Sequence, residues 1–158
     1  MKVTLKQIDK ELRDIAENHV QINSYFFGEQ LDIQEANALT NCTLFANVLI
    51  GKLNKNTVEV DLILAVMDKI SNGKGNLLDV ESDTLQILND VYQVIRYSNR
   101  WQSVAISTDI SNFQKLYEET DSIMGGWSAT INLKVKGSEG VCNTAFNSYD
   151  FDNGLFGC

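Results

Sequence analysis

The side chains that could act as a nucleophile, a general base or a metal ligand are few and scattered. His19 is the sole histidine, and it closes the apolar side of a helical pattern. Cys42, Cys142 and Cys158 are widely spaced and form no C-x-x-C pair. A structural zinc site needs about four N or S ligands at close spacing, and nucleophilic catalysis needs a base beside the serine or cysteine. The sequence therefore predicts no catalytic residue, no metal site and no cofactor.

Three segments contain the glycines or carboxylates from which phosphate and calcium sites are built. Residues 73–75 read Gly-Lys-Gly but lack the full GxxxxGK[ST] pattern of a phosphate-binding loop. Residues 118–121 and 150–154 are acidic, but neither segment has the oxygen spacing and late glutamate of a calcium loop. We interpret residues 73–75 as a solvated loop and the two acidic segments as solvated charge.

Two amphipathic helices are predicted from spacings of three and four residues between apolar side chains. Thr4 and Gln7 form a capping box that opens the first helix. Ser82 is the predicted N-cap of the second, which ends near residue 98. The apolar stripe of the first helix comprises Leu5, Ile8, Leu12, Ile15, Ala16 and His19, and that of the second comprises Leu85, Leu88, Val91, Tyr92 and Ile95.

Strands are predicted where apolar residues alternate or cluster with β-branched and aromatic types. Residues 43–53 and 57–67 form a hairpin around an Asn-Lys-Asn turn, and residues 127–135 alternate most clearly. Shorter strands are predicted over residues 20–27 and 112–120. The order helix, strands, helix, strands favours a single α+β domain with an antiparallel sheet and two main helices over residues 1–146, followed by a polar tail, 147–158.

Composition excludes several classes of function. The chain carries 21 acidic against 13 basic residues, a net charge of −8, which repels phosphate backbones and disfavours nucleic-acid binding. No apolar run is long enough to cross a bilayer, so no membrane association is expected. Met1 and Lys2 precede an amphipathic stretch without an apolar leader, and the odd cysteine count suggests reduced thiols, so synthesis in a cytoplasm is expected.

Aromatic residues indicate where the chain contacts other proteins. Tyr25, Phe26 and Phe27 place aromatic rings on both faces of one strand, so the segment must be covered twice. Trp101 follows the second helix and is as compatible with an interface as with the core. These residues predict self-association.

The same conclusion follows from the strand over residues 57–67. Its second face begins polar and becomes apolar toward Ile63 and Met67. We predict that a neighbouring subunit covers this part of the face.

Three segments in this order resemble a known family. They are residues 19–29, residues 66–69 with 80–87, and Gly125-Gly126-Trp127 at the start of the last strand. Together they resemble the small neck and tail-completion proteins of tailed bacteriophages, of the tail-terminator type. The resemblance implies a homo-oligomeric ring of six or twelve copies in the virion, at the neck or the head-proximal end of the tail. Portal or connector and tail-tube proteins would be its neighbours.

The resemblance also implies roles for individual segments. Genomic DNA would pass through the ring without sequence-specific binding, and the loop around Lys74 would be a contact or lumen loop. The strands over residues 43–67 would pack subunits together. The alternative hypothesis is a monomeric protein-binding module or assembly factor, without catalytic activity, that recognises a partner through its sheet edge. An enzyme whose site the sequence does not display is a third possibility, which the scarcity of catalytic groups disfavours.

Overall fold

The structure is a computed structural model that describes residues 4–28, 42–53, 57–102, 107–119 and 123–136. The predicted domain boundary at residue 146, the polar tail 147–158, Cys142 and Cys158 lie outside these ranges.

The first helix forms where its capping box predicts. Helix α1 spans Leu5–Asn18, and the backbone N–H of Gln7 donates to the Thr4 hydroxyl over 3.2 Å. Its buried apolar stripe is Ile8, Leu12 and Ala16, and His19 is its C-cap. The amphipathic pattern and the cap therefore position one face of α1 against the sheet.

Five strands of the described residues form one sheet in the order β1-β2-β3-β5-β4. The strands β1 and β2 are parallel, and the other neighbouring pairs are antiparallel. The strands are β1 (Ser24–Phe27), β2 (Thr43–Leu53), β3 (Thr57–Lys69), β4 (Ser107–Glu119) and β5 (Ile123–Lys136). The predicted α+β class with a mostly antiparallel sheet is confirmed.

The second helix begins before its predicted N-cap. Helix α2 spans Leu77–Tyr97, so Ser82 lies inside it rather than at its start. The Asn76 side chain accepts hydrogen bonds from the Ser71 N–H (2.7 Å) and hydroxyl (2.9 Å) and donates to the Lys69 carbonyl (3.3 Å). These bonds close the loop directly before Leu77. A short helix, α3 (Asn99–Gln102), follows α2.

The main core lies between the helices and one face of the sheet. In β3, Leu62, Leu64 and Val66 are fully buried on this face, which α1, α2 and α3 cover. The opposite face has a second, smaller apolar cluster of Phe45, Ala65, Met67 and Met124, with Phe26 and Leu116 packed against it. Residues i and i+2 share a face of a strand, so the alternation predicted for residues 57–67 accounts for both clusters.

Candidate functional site

Strand β4 ends the sheet on one side among the described residues, and it has large exposed apolar side chains. The exposed fractions of Phe113 and Tyr117 are 46% and 40%. Phe113 pairs with Ala129 of β5, and Tyr117 pairs with Gly125. Lys115 lies between them and pairs with Trp127. Side chains at alternate positions share a face, and Ala129 and Trp127 belong to the main core, so all three β4 side chains are on the face that the helices cover. Two aromatic rings thus flank a lysine along the edge of the sheet.

Helix α2 adds two further exposed apolar residues beside this edge. Leu78 is 78% exposed and Leu85 is 38% exposed. They lie three residues before and four residues after Glu81, on one side of the helix. We call Leu78, Leu85, Phe113 and Tyr117 the edge surface.

An ion pair joins the two halves of the edge surface. The Lys115 ammonium lies 2.5 Å from a Glu81 carboxylate oxygen, and the side chains are 52% and 15% exposed. The backbone carbonyl of Glu81 accepts a hydrogen bond from the Trp127 indole N–H over 2.9 Å. Glu81 is thereby held to both β4 and β5, which keeps α2 at a set distance from the strand edge.

The loop before α2 reaches the same place. Lys74 has a φ of 61°, a left-handed conformation in the turn that Asn76 closes. Its ammonium lies 4.9 Å from the centroid of the Tyr117 ring, close enough for a cation–π interaction. The Tyr117 ring thus contacts a cation of the chain itself while the residue remains 40% exposed.

The register of β4 on β5 shifts between Ile110 and Phe113. A bulge of this kind bends the strand and increases its twist. Residues 113–119, which include the exposed aromatic rings, therefore run in a different direction from the part of β4 before the bulge. This later part of β4 offers about seven consecutive residues for pairing.

Among the described residues, two groups have shifted pKa values, and both lie outside the edge surface. Burial raises the pKa of the Cys42 thiol to about 12, and Asp68 and Asp83 add to the effect. Burial, followed by the hydrogen bond to Asp9, raises the pKa of Tyr25. The thiolate is the nucleophilic form of cysteine, so the environment of Cys42 opposes nucleophilic chemistry.

The structure places three predicted interface residues within the chain's own packing. Phe26 stacks on Phe45 with ring centroids 5.7 Å apart. Met67 and Trp101 are 3% and 1% exposed, so neither side chain is on a free surface. The burial of Met67 in the second apolar cluster accounts for the apolar end of its strand without a neighbouring subunit.

The remaining predicted interface residues differ in their accessibility. Tyr25 and Phe27 are half-buried against the main core, and the Tyr25 hydroxyl donates to an Asp9 carboxylate oxygen over 3.0 Å. Ile63 is half-buried on the opposite face of the sheet. Lys74 is exposed and, of the predicted residues, is the one that contacts the edge surface.

Sequence reasoning missed all four residues of the edge surface. The spacing predicts that Leu85 lies on the buried stripe of α2, whereas Thr84 and Ile87 occupy that side of the helix. Phe113 and Tyr117 lie four residues apart on a predicted strand, and this even spacing is a signal for one shared face. What the spacing does not contain is that the strand lies at the edge of the sheet.

The comparisons with known proteins return little. No family model matches this chain, and no curated protein matches it. One similar solved structure is the core region of PilO from the type IV pilus system of Pseudomonas aeruginosa. It shares 11% sequence identity over 72% of this chain and 97% of that chain, with a TM-score of 0.32. A TM-score this low does not establish a common fold, and it carries no argument about function.

The predicted relationship to phage neck and tail-terminator proteins is wrong. The comparisons return no such family, and the similar solved structure belongs to a pilus system. The segments that suggested the relationship are packing elements: Val66, Val80 and Ile87 are buried, and Gly126 lies against β3. Buried segments of this kind indicate an α+β core, and they do not identify a family. The ring, its portal and tail-tube neighbours, the DNA channel and the virion location had no other basis.

Two further searches of the described residues bear on the class of site. None of the helices there is long and apolar enough to span a membrane. In the same part of the chain, no three His, Cys, Asp or Glu side chains form a group that could hold a metal ion.

Proposed function

We propose that this chain is a non-catalytic protein-binding module that accepts an extended segment of a partner protein along β4. The observation that carries the proposal is the edge surface, in which four exposed apolar side chains lie around the Lys115–Glu81 ion pair, beside the strand that ends the sheet among the described residues. An edge strand presents backbone N–H and C=O groups that an added strand can pair with. Apolar side chains beside that edge supply the pockets that select the partner's side chains.

The two exposed aromatic rings define the shape of the partner segment. Side chains of an added strand alternate between the two faces of the sheet. Those that share the face of Phe113 and Tyr117 would contact these rings and Leu78 or Leu85 of α2. The partner segment therefore needs apolar residues at alternate positions.

Charge supports a foreign segment over a second copy of this chain. The net charge of −8 makes two copies repel each other, whereas a basic segment is attracted. We therefore take the partner segment to be extended, basic or neutral, and apolar at alternate positions. Edge-to-edge pairing of β4 with β4 of a second copy is the competing outcome.

The test uses a ten-residue synthetic peptide in which valine alternates with lysine and threonine. We expect chemical-shift changes in ¹H–¹⁵N NMR spectra to concentrate on residues 113–119 and on Leu78 and Leu85. Amide protons on the outer side of β4 should also exchange more slowly with solvent when the peptide is bound. The matched control peptide has prolines at two valine positions, and it cannot donate the ladder hydrogen bonds there.

Two double variants make the test specific to the edge surface. Phe113→Ser with Tyr117→Ser should weaken peptide binding at least about ten-fold, because it removes both exposed rings. Leu5→Ser with Leu49→Ser removes two other side chains, each 51% exposed, and should leave binding unchanged. Equal binding by both double variants, or shift changes centred elsewhere, would overturn the proposal. A dimer that forms through β4 without peptide would replace the foreign segment by a second copy.

A further inference from the structure

Lys115 is the charged residue at the centre of the edge surface. It lies between Phe113 and Tyr117 on the face of β4 that the helices cover, and it pairs with Trp127 of β5. Side chains of an added strand alternate between the two faces of the sheet, so three successive positions on this face would meet Phe113, Lys115 and Tyr117 in turn. The two outer positions contact aromatic rings, whereas the middle position contacts a charge.

The ion pair between Lys115 and Glu81 has its positive end toward solvent. The lysine side chain is 52% exposed, and the glutamate side chain is 15% exposed. The carboxylate oxygen nearest the ammonium is buried. A group that approaches from solvent therefore meets the ammonium before the carboxylate. An ammonium has three N–H donors, so it can serve a second acceptor while it stays paired with Glu81.

We infer that the partner segment has a carboxylate side chain at the position opposite Lys115, between two apolar residues. The inference rests on the proposed function, and it specifies one position of that partner. Opposite charges that face each other across two paired strands stabilise the pairing, and like charges destabilise it. A segment with lysines on its other face remains basic or neutral overall, as the net charge of −8 requires.

The test compares three peptides that differ only at the central valine of the valine–lysine–threonine peptide. This position carries glutamate, glutamine or lysine, and the lysines of the parent peptide stay on the other face. The flanking valines set the register, because the polar residue then faces Lys115 while valines face both rings. At low salt we expect glutamate to bind most tightly and lysine most weakly. Glutamate should exceed glutamine about two- to five-fold, the range for one cross-strand ion pair.

The order of the three affinities separates a contact with Lys115 from general electrostatic attraction. General attraction to a chain with a net charge of −8 predicts the reverse order, in which the lysine peptide binds most tightly. A preference for glutamate therefore requires a local positive charge at the binding site.

Charge-removing variants assign this preference to Lys115. In Lys115→Gln the glutamate and glutamine peptides should bind equally. They should also bind equally to the double variant Lys115→Gln with Glu81→Gln, which leaves no buried carboxylate unpaired and therefore keeps the test valid if the single variant folds poorly. The matched control is Lys134→Gln, which removes a lysine from the opposite face of the sheet. It should leave the preference for glutamate unchanged.

Mapping each peptide by ¹H–¹⁵N NMR distinguishes failure of the site from failure of the preference. Shift changes at residues 113–119 without tighter binding of the glutamate peptide would overturn the inference and leave the proposed function in place. A preference for glutamate that persists in both Lys115 variants would also overturn it. Peptides that all bind elsewhere, or do not bind, would overturn the proposed function together with this inference.

Discussion

Gly126 lies where β5 passes closest to β3. It pairs with Met67, and a Cβ added to it would meet the carbonyl oxygen of Val66 and lie 2.9 Å from the Cα of Met67. Both neighbours are backbone atoms of the central strand, so they cannot move aside without breaking the ladder between β3 and β5. The glycine is thus required by close approach of two strands and not by a positive φ.

We predict that Gly126→Ala lowers the free energy of unfolding by at least about 3 kcal/mol, as overpacking against backbone does. Urea denaturation followed by circular dichroism measures it. The matched control is Gly51→Ala in β2, whose new Cβ would have only the Glu59 carbonyl, 4.0 Å away, as a neighbour. Gly51→Ala should change stability by no more than about 0.5 kcal/mol. Comparable stabilities of the two variants would show that the strands separate easily at Gly126.

Cys42 makes stability depend on pH in the alkaline range. Its pKa rises from 9.0 to about 12 on folding, chiefly through burial. Above pH 9 the unfolded chain releases the thiol proton while the folded chain keeps it, so the unfolded state binds fewer protons and stability falls as pH rises. The contribution is fully present below pH 9 and is lost between pH 9 and about 12.

We therefore expect the free energy of unfolding to decrease between pH 8 and pH 10.5, and to decrease less in Cys42→Ala. Urea denaturation under reducing conditions at both pH values checks this. The variant starts from a lower stability because it leaves a small void in the core. The comparison therefore uses the change between the two pH values and not the stability itself. An identical change in both proteins would contradict a buried neutral thiol.

The beginnings of the two long helices differ in how they are capped. Thr4 accepts a hydrogen bond from the first turn of α1, whereas Asn76 makes no side-chain cap bond to α2 and instead ties the preceding loop together. Ser82, the predicted N-cap of α2, is an exposed residue in its second turn. Ser82 and Asp83 are compatible with a helix start, but the loop that the Asn76 hydrogen bonds close ends at residue 76, so the helix starts at Leu77.

Two substitutions distinguish a cap from a residue inside a helix. Thr4→Ala should cost about 1 kcal/mol of stability, because one N–H of the first turn loses its acceptor. Ser82→Ala should be neutral or stabilise by up to about 0.5 kcal/mol, because alanine is the better helix former. Thermal unfolding by calorimetry resolves both effects. A loss of stability in Ser82→Ala as large as that in Thr4→Ala would show that α2 starts at residue 82 in solution.

The sequence predicts elements well where one physical signal dominates. The Thr4 cap of α1, the alternation of β3 and β5, and the antiparallel pairing of β2 with β3 agree with the structure, whereas Leu5 of the predicted α1 stripe is 51% exposed. Long-range pairing is different, because it depends on which strands are neighbours. Nothing in residues 24–27 indicates that β1 is parallel to β2, and nothing in residues 107–119 indicates an edge.

The residues of the candidate site are the hardest to predict, because their exposure depends on which strands are neighbours. An exposed Phe113 and a buried Phe45 have the same side chain and similar strand neighbours, and only the sheet order separates them. From its sequence position, Trp101 is equally compatible with the core and with an interface, and its burial becomes visible only once the helices are packed.

At the scale of the whole molecule, the net charge and the apolar edge surface have opposite effects on self-association. The edge surface is apolar and would favour contact between two copies, while a net charge of −8 on each copy resists it. Salt weakens this repulsion, because the Debye length falls from about 30 Å at 0.01 M to about 3 Å at 1 M. Salt equally weakens the attraction of a basic partner segment.

The last prediction follows from these opposite signs. The affinity for the valine–lysine–threonine peptide should fall several-fold between 50 mM and 500 mM NaCl, whereas a peptide with glutamine in place of lysine should bind more weakly at 50 mM and change little. Fluorescence anisotropy measures both affinities. Light scattering of the chain alone at the same salt concentrations is the companion measurement, and it should detect monomer at 50 mM. Two results would mean that apolar contact outweighs charge: a chain that is already dimeric at 50 mM NaCl, or a lysine peptide whose affinity does not change with salt. A second copy of the chain would then be the better occupant of the edge.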